Sequence, residues 1–195
     1  MATVAQPLKR HPELVSLSRE HHFELLFSWK IKQGLTRKVK PAIIQDYVRY
    51  FWDHNLEPHL EKEEKIVVQV LSEADPMRFR VQQDHDLIRC LVAYLQEERE
   101  GIAYLLDALQ QLVKAHVRFE ERVFFPYLEQ VATPGQLMLM GLEMDKHAEA
   151  PTDDFLPVFW AGKQQEKEDE PLQPAAHHER QYPDRHADQG QPGCH

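Results

Sequence analysis

The chain has 195 residues, enough for one domain with tails, and its formal net charge of −9 disfavours nucleic acid or an anionic membrane as a main partner. No apolar run approaches the roughly 18 residues of a membrane span, and Met1 to Arg10 lacks the apolar centre of a signal peptide. Only two cysteines occur, Cys90 inside a predicted helix and Cys194 near the end, so no disulfide framework is implied and a reducing cytoplasm fits.

A polar arm, 1–10, precedes the first predicted helix, which runs from about Pro12 to Gln33 and ends at Gly34. Its apolar stripe is Leu14, Leu17, His21 and Leu25. The neighbouring His22 has a rival stripe of Val15, Leu26 and Trp29, slightly less complete. The second helix spans about Pro41 to Ser72, with Trp52, Leu56, His59, Glu63, Ile66 and Val70 on one face. Pro58 falls inside it and removes a backbone donor just before His59, which predicts a kink.

Asp75-Pro76 reads as an N-cap followed by proline at the first helical position. The third helix then carries Val81, His85, Ile88, Val92 and Leu95 on its stripe, with Cys90 expected to be a small buried hydrophobe. After a charged turn, Glu97 to Gly101, the fourth helix extends from Ile102 to about Gln130. Its stripe is Ile102, Leu106, Leu109, Val113, His116, Glu120, Val123 and Tyr127. Thr133-Pro134 opens a shorter fifth helix reaching about His147. A segment with Asp153, Asp154, Phe155, Phe159 and Trp160 is expected to pack on the bundle as a latch. The division is a 1–10 arm, an 11–160 bundle with latch, and a 161–195 disordered polar tail. Histidines of that tail, His177, His178, His186 and His195, read as solvated.

The chemistry concentrates in a cassette that occurs twice. His59-Leu60-Glu61-Lys62-Glu63-Glu64 and His116-Val117-Arg118-Phe119-Glu120-Glu121 share H-x-x-x-E-E. Histidine and glutamate four apart lie one turn apart on one helix face. Here that face is the apolar stripe, so His59, Glu63, His116 and Glu120 stand at core positions. A buried carboxylate without a partner costs several kcal/mol, about 2–7 for a neutral polar group and more for a charge. Two such pairs therefore call for a cation. Counting about 1.5 Å per residue from each turn, His21, His59 with Glu63, His85, and His116 with Glu120 reach the same height in an all-α, antiparallel up-down-up-down four-helix bundle. Glu120 keeps phase with His116 better than Glu121 does. Tyr47, Tyr104 and Tyr127 are candidate donors near the ligands, though bundle tyrosines are more often core residues.

The run Leu17-Ser18-Arg19-Glu20-His21-His22, the two cassettes, and Asp84-His85 between them resemble the hemerythrin-like, HHE cation-binding family over about Leu14 to Leu128. The resemblance implies two non-haem iron ions bridged by two carboxylates and a solvent oxygen, with zinc or manganese as other metals that suit the donors. It implies the ligands His21, His59, Glu63, His85, His116 and Glu120, with Glu63 and Glu120 as bridges. It implies a binding or sensing protein for dioxygen, peroxide or nitric oxide, or an enzyme that decomposes the latter two. A structural metal site is the third reading. The sequence departs from the oxygen carriers where these place a second histidine one turn after the first on the third helix; here Arg89 stands there. Its guanidinium either turns inward to Glu63 or Glu120 or reaches solvent.

Overall fold

The computed structural model describes residues 10–97, 101–147 and 150–161. Among these residues every regular element is a helix and none is a strand. Helix α1 (Val15–Thr36) follows a 3-10 turn, Pro12–Leu14. The second long helix joins α2 (Pro41–Phe51) and α3 (Glu57–Lys62) through a π-helical segment, Trp52–Leu56, and continues through a second one, Glu63–Val67, to a 3-10 end at Val70. Next comes α4 (Pro76–Glu97). The fourth long helix joins α5 (Ile102–Phe119) and α6 (Phe125–Val131) through a π-helical segment, Glu120–Phe124. A shorter α7 (Pro134–Lys146) ends the helical part.

Local sequence sets these boundaries. Asp75 accepts a hydrogen bond from the Met77 backbone N–H at 2.8 Å, and Pro76 at the first position loses no donor the helix would use. Thr133 and Gln136 form a reciprocal capping box at the start of α7. Gly101, with φ +65°, turns the chain into α5. Gly34 does not end α1, contrary to the sequence expectation, because the helix continues to Thr36. A β-carbon on Gly34 would come within 2.8 Å of Ile44 and of Phe159, so the glycine is there for close packing.

The core is split in two. One apolar cluster joins Phe27 and Ile31 of α1, Ile44, Tyr47, Val48 and Phe51 of α2, Val92 and Leu95 of α4, and Leu106, Leu109 and Val113 of α5. The other joins Leu14 and Leu17, Val67, Val68 and Leu71, Val81, and Phe124, Phe125 and Leu128. Each long helix therefore enters both clusters, with its early residues in one and its later residues in the other. The direction alternates from helix to helix. Five of the six predicted ligands fall in sequence between the two sets, and His59 stands beside Leu60, the last residue of the second long helix in the first cluster.

Two of the predicted stripes shift by one residue for a single reason. A π-helical turn closes its hydrogen bond from i+5 to i and so accommodates one extra residue. After Glu63 the inward residues are Val67 and Val68, while Ile66 and Val70 are only partly buried. After Glu120 they are Phe124 and Phe125, while Val123 is 43 % exposed and Tyr127 lies at the margin. Pro58 and Pro126 each follow two residues behind a π-helical segment, so the break anticipated at Pro58 takes that form. On α1 the stripe leaves Leu25 exposed and continues inward through Glu24 and Ser28. Cys90 is exposed and free rather than buried.

Residues 150–161 dock on the first cluster. Tyr47 packs against the rings of Phe155, Phe159 and Trp160, at 5.3, 5.4 and 5.5 Å between centroids. The buried Lys30 ammonium pairs with Asp153 at 2.6 Å and lies 3.7 Å from the Trp160 ring centroid. The predicted tail beyond Ala161 lies outside the described residues, apart from Ala161 itself.

Candidate metal centre

The layer between the two apolar clusters is lined by histidine and carboxylate. His21, His59, Glu63, His85, His116 and Glu120 are each at most 2 % exposed. Donor atoms of His21, His59, Glu63 and Glu120 lie within 4.8 Å of one another, and so do those of Glu63, His85, His116 and Glu120. The two glutamates are thus common to both groups, one oxygen of Glu63 facing His21 and His59 and the other facing His85. His22, the rival on α1, is exposed. The imidazoles sit in two edge-to-face pairs, His21 with His59 at 5.1 Å and His85 with His116 at 4.8 Å.

The Nε2 atoms of all four histidines and all four oxygens of Glu63 and Glu120 are buried without a hydrogen-bond partner. Several are nevertheless close: His21 Nε2 is 3.0 Å from Glu120 and His116 Nε2 is 3.4 Å from it. Atoms that approach to about 3 Å without pointing at each other are what two neighbouring ligands of one ion look like, since each lone pair aims at the ion. This many desolvated polar atoms, unpaired, would be very costly. Nitrogen and carboxylate donors suit iron, zinc and manganese, so the residues fit a pair of such ions.

A second circle of carboxylates orients the imidazoles, and here the sequence reading missed a pattern. Glu20 on α1 lies 2.8 Å from His59 Nδ1 of the second long helix. Glu64 on that helix lies 2.8 Å from His85 Nδ1 of α4. Asp84 on α4 approaches His116 Nδ1 on α5 more loosely, at the ion-pair distance of 3.8 Å and without a hydrogen bond. Glu121 on the fourth helix lies 2.8 Å from His21 Nδ1 on α1. Each helix so lends a carboxylate to the imidazole of the next. Such partners fix the ring orientation and raise ligand basicity. The signal was present: an acid directly precedes His21 and His85, and a second glutamate ends each cassette. This explains the E-E pair, in which the first residue faces the centre and the second faces a neighbouring histidine.

Cations hold the outer circle in place. Lys62 donates to both oxygens of Glu20, at 2.7 and 2.9 Å. Arg10 donates to the side chain and the backbone carbonyl of Glu121, and Ser18 donates to Glu121 at 2.7 Å. Arg89 donates to both oxygens of Glu64, at 2.8 and 3.1 Å, and to Glu57 at 3.3 Å. The expectation that Arg89 meets Glu63 or Glu120, or else solvent, is therefore corrected: two outer acids, Glu64 and Glu57, hold it. None of the three candidate tyrosines reaches the centre. Tyr47 and Tyr127 donate to Asp153 and Asp75, and Tyr104 is 78 % exposed.

Charge follows this wiring. Burial raises the Glu64 and Glu121 carboxyls, but His85 with Arg89, and His21 with Ser18 and Arg10, outweigh it and bring both down to about 2. Burial lowers His85, but Glu63 and Glu64 prevail and raise it to about 10. The same contest raises His21 well above its ordinary value, through Glu120, Glu121 and Glu63. Glu63 is driven far below the usual carboxylate range by His59, His21 and His85 against its own burial. Imidazole and carboxylate thus shift each other in opposite directions at His21, His85 and Glu63.

Two further observations complete the centre. Glu24, one turn after His21, is 2 % exposed and both its oxygens lack a hydrogen-bond partner. A cleft of about 890 Å³ between α1, the second long helix, α7 and residues 150–152 has Glu20, Glu24 and His59 in its lining.

A family described as hemerythrin HHE cation binding domain matches residues 14–128 and, a second time, 80–148. The second match begins just before Asp84-His85, as the first begins before Glu20-His21, in line with the doubled cassette. No curated relative and no solved structure matches the chain.

Proposed function

The chain belongs to the hemerythrin HHE cation-binding family, and on that footing we propose that it is a non-haem di-iron protein that binds dioxygen, peroxide or nitric oxide. Its role would be sensing, scavenging, or iron and oxygen handling, in a reducing cytoplasm and with the fold of an up-down-up-down four-helix bundle. The ligands are His21, His59, Glu63, His85, His116 and Glu120, with Glu63 and Glu120 shared. The observation that carries this reading is the set of eight buried, unpaired donor atoms on those residues, arranged as two groups with two members in common. Iron bound there would supply redox chemistry toward such small molecules. The chain supplies the desolvated layer, the oriented imidazoles and a cleft lined in part by His59.

Turnover of peroxide or nitric oxide is the second reading, and the cleft favours it because turnover needs a path for substrate and product. A purely structural metal accords less well, since six inward ligands exceed the four a structural zinc takes. The test is elemental analysis of protein produced with iron. About two iron ions per chain are expected, with loss of both in the double variant Glu63→Ala, Glu120→Ala. One iron per chain in the wild type, unchanged in that variant, would refute the dinuclear reading. Mixing the reduced protein with oxygen or peroxide then separates a stable adduct from turnover.

A further inference from the structure

The centre is nearly symmetric about its two shared glutamates, and Glu24 breaks the symmetry. Each half has two imidazoles and shares both glutamates: Glu63 turns one oxygen to each half, and Glu120 Oε2 lies near both His21 and His116. Beside His21 and His59 there is also a third carboxylate, and no carboxylate stands in that relation to His85 and His116 among the described residues. Glu24 Oε1 lies 3.0 Å from His59 Nε2, as close as Glu120 Oε2 lies to His21 Nε2. As with those bridge atoms, the contact is not a hydrogen bond: both Glu24 oxygens and His59 Nε2 are buried without one. The proton-bearing partner of His59 is on the other side of the ring, where Glu20 takes Nδ1.

A charged carboxylate held in the core this way needs a positive group at short range. Apart from His59 itself, which meets Glu24 without a hydrogen bond, the described cations nearby are committed elsewhere: Lys62 to Glu20, and Arg10 to Glu121. Glu24 also stands at the regular inward position one turn after His21, so α1 presents both residues on the face that lines the centre. It differs from the outer acids, which stand on the Nδ1 side of their imidazoles, in facing the Nε2 side, where the candidate ligand atoms converge.

We propose that Glu24 is a seventh protein ligand, bound to the metal ion held by His21 and His59. This rests on the metal-centre reading above and deepens it. The two ions then differ, with five protein ligands on one and four on the other. The richer ion is also the one that the cleft reaches, so Glu24 is the ligand that a molecule arriving through the cleft meets and can displace.

The experiment titrates metal-free wild type, Glu24→Gln and Glu24→Ala with Co(II), following visible absorption, whose bands change with coordination number. Two ions are expected in every protein. In both variants one ion should bind at least tenfold more weakly with an altered spectrum, since even outer partners of ligands are worth about 10–100-fold. The other ion should keep its wild-type spectrum. In a His85→Ala background the Glu24→Gln loss should persist, and in a His59→Ala background it should largely vanish. Unchanged affinities and spectra for both ions would overturn the proposal, including the case where only metal-free stability changes, because that is the mark of a counter-charge for His59. If wild type takes up a single ion, the dinuclear reading falls. The ligand assignment then stands or falls on whether Glu24→Gln weakens that ion.

Discussion

Arg89 shows how a single residue can act on the centre without touching it. An arginine cannot offer a lone pair to a metal, so one turn after His85 the chain carries no ligand. The guanidinium instead grips Glu64 with two hydrogen bonds, and Glu64 holds His85 through Nδ1. A bidentate fork fixes a carboxylate better than a point charge does. Arg89→Ala should free Glu64 to rotate and so lower the affinity of one of the two ions by about 10–100-fold, with Arg89→Lys between the two. Calorimetric titration with Co(II) measures this, and wild-type affinity in Arg89→Ala would show that Glu64 keeps its place unaided. The sequence made the inner histidines visible because each interrupts an apolar stripe. It concealed Arg89's partner because Glu57 and Glu64 lie on another helix, 32 and 25 positions away. Glu24 was hidden for a simpler reason: the stripe on α1 was extended to Leu25, which the helix leaves exposed, so its neighbour was passed over.

At the scale of elements, the helices and their starts were legible and the phase after each cassette was not. Proline at the first turn, an acid or threonine cap, and a glycine in the left-handed region are local devices, and they appear where the pattern put them. A π-helical turn is not local in that sense. Its extra residue leaves no compositional mark, and period 3.6 continues across it on paper. The result is a clear test. Continuing the α-helical period puts Val123 in the core and turns Phe124 away; the structure puts Phe124 at 0 % exposure and Val123 at 43 %. Phe124→Ala should therefore cost about 3–5 kcal/mol. Val123→Ala should stay within about 0.5 kcal/mol, as surface changes usually do. Urea unfolding of the two variants decides between the phases, and a large loss for Val123→Ala with a small one for Phe124→Ala would restore the uninterrupted helix. Two of the three π-helical segments among the described residues begin at Glu63 and at Glu120, the two residues common to both groups of the centre. The widened turn is what lets the second glutamate of each cassette face a neighbouring helix while the apolar residues beyond it return to the core.

For the molecule as a whole, two apolar clusters are separated by a charged layer, so stability depends on what balances that layer. Metal would bind the folded chain far better than the unfolded one, and chelation should lower the melting temperature. The metal-free protein still has its own balance of imidazolium and carboxylate, and that balance has a defined pH dependence. His85 is raised to about 10 in the fold, so its contribution is complete below the unfolded value near 6.5 and fades as pH climbs toward 10. Glu64 and Glu121 are lowered to about 2, so their contribution is complete above about 4.5 and fades as pH falls toward 2. The chelated protein should thus be most stable between about pH 4.5 and 6.5 and should melt progressively lower from pH 7 to 9. Metal-loaded protein should behave differently over the same range, because the ions displace those imidazole protons and bind more tightly as proton competition weakens. Its melting temperature should hold or rise from pH 6 to 8. Circular dichroism melts of both forms at four or five pH values make the comparison. Parallel curves would mean that the layer is balanced in the same way with and without metal, contrary to a centre whose ligands surrender protons when it fills.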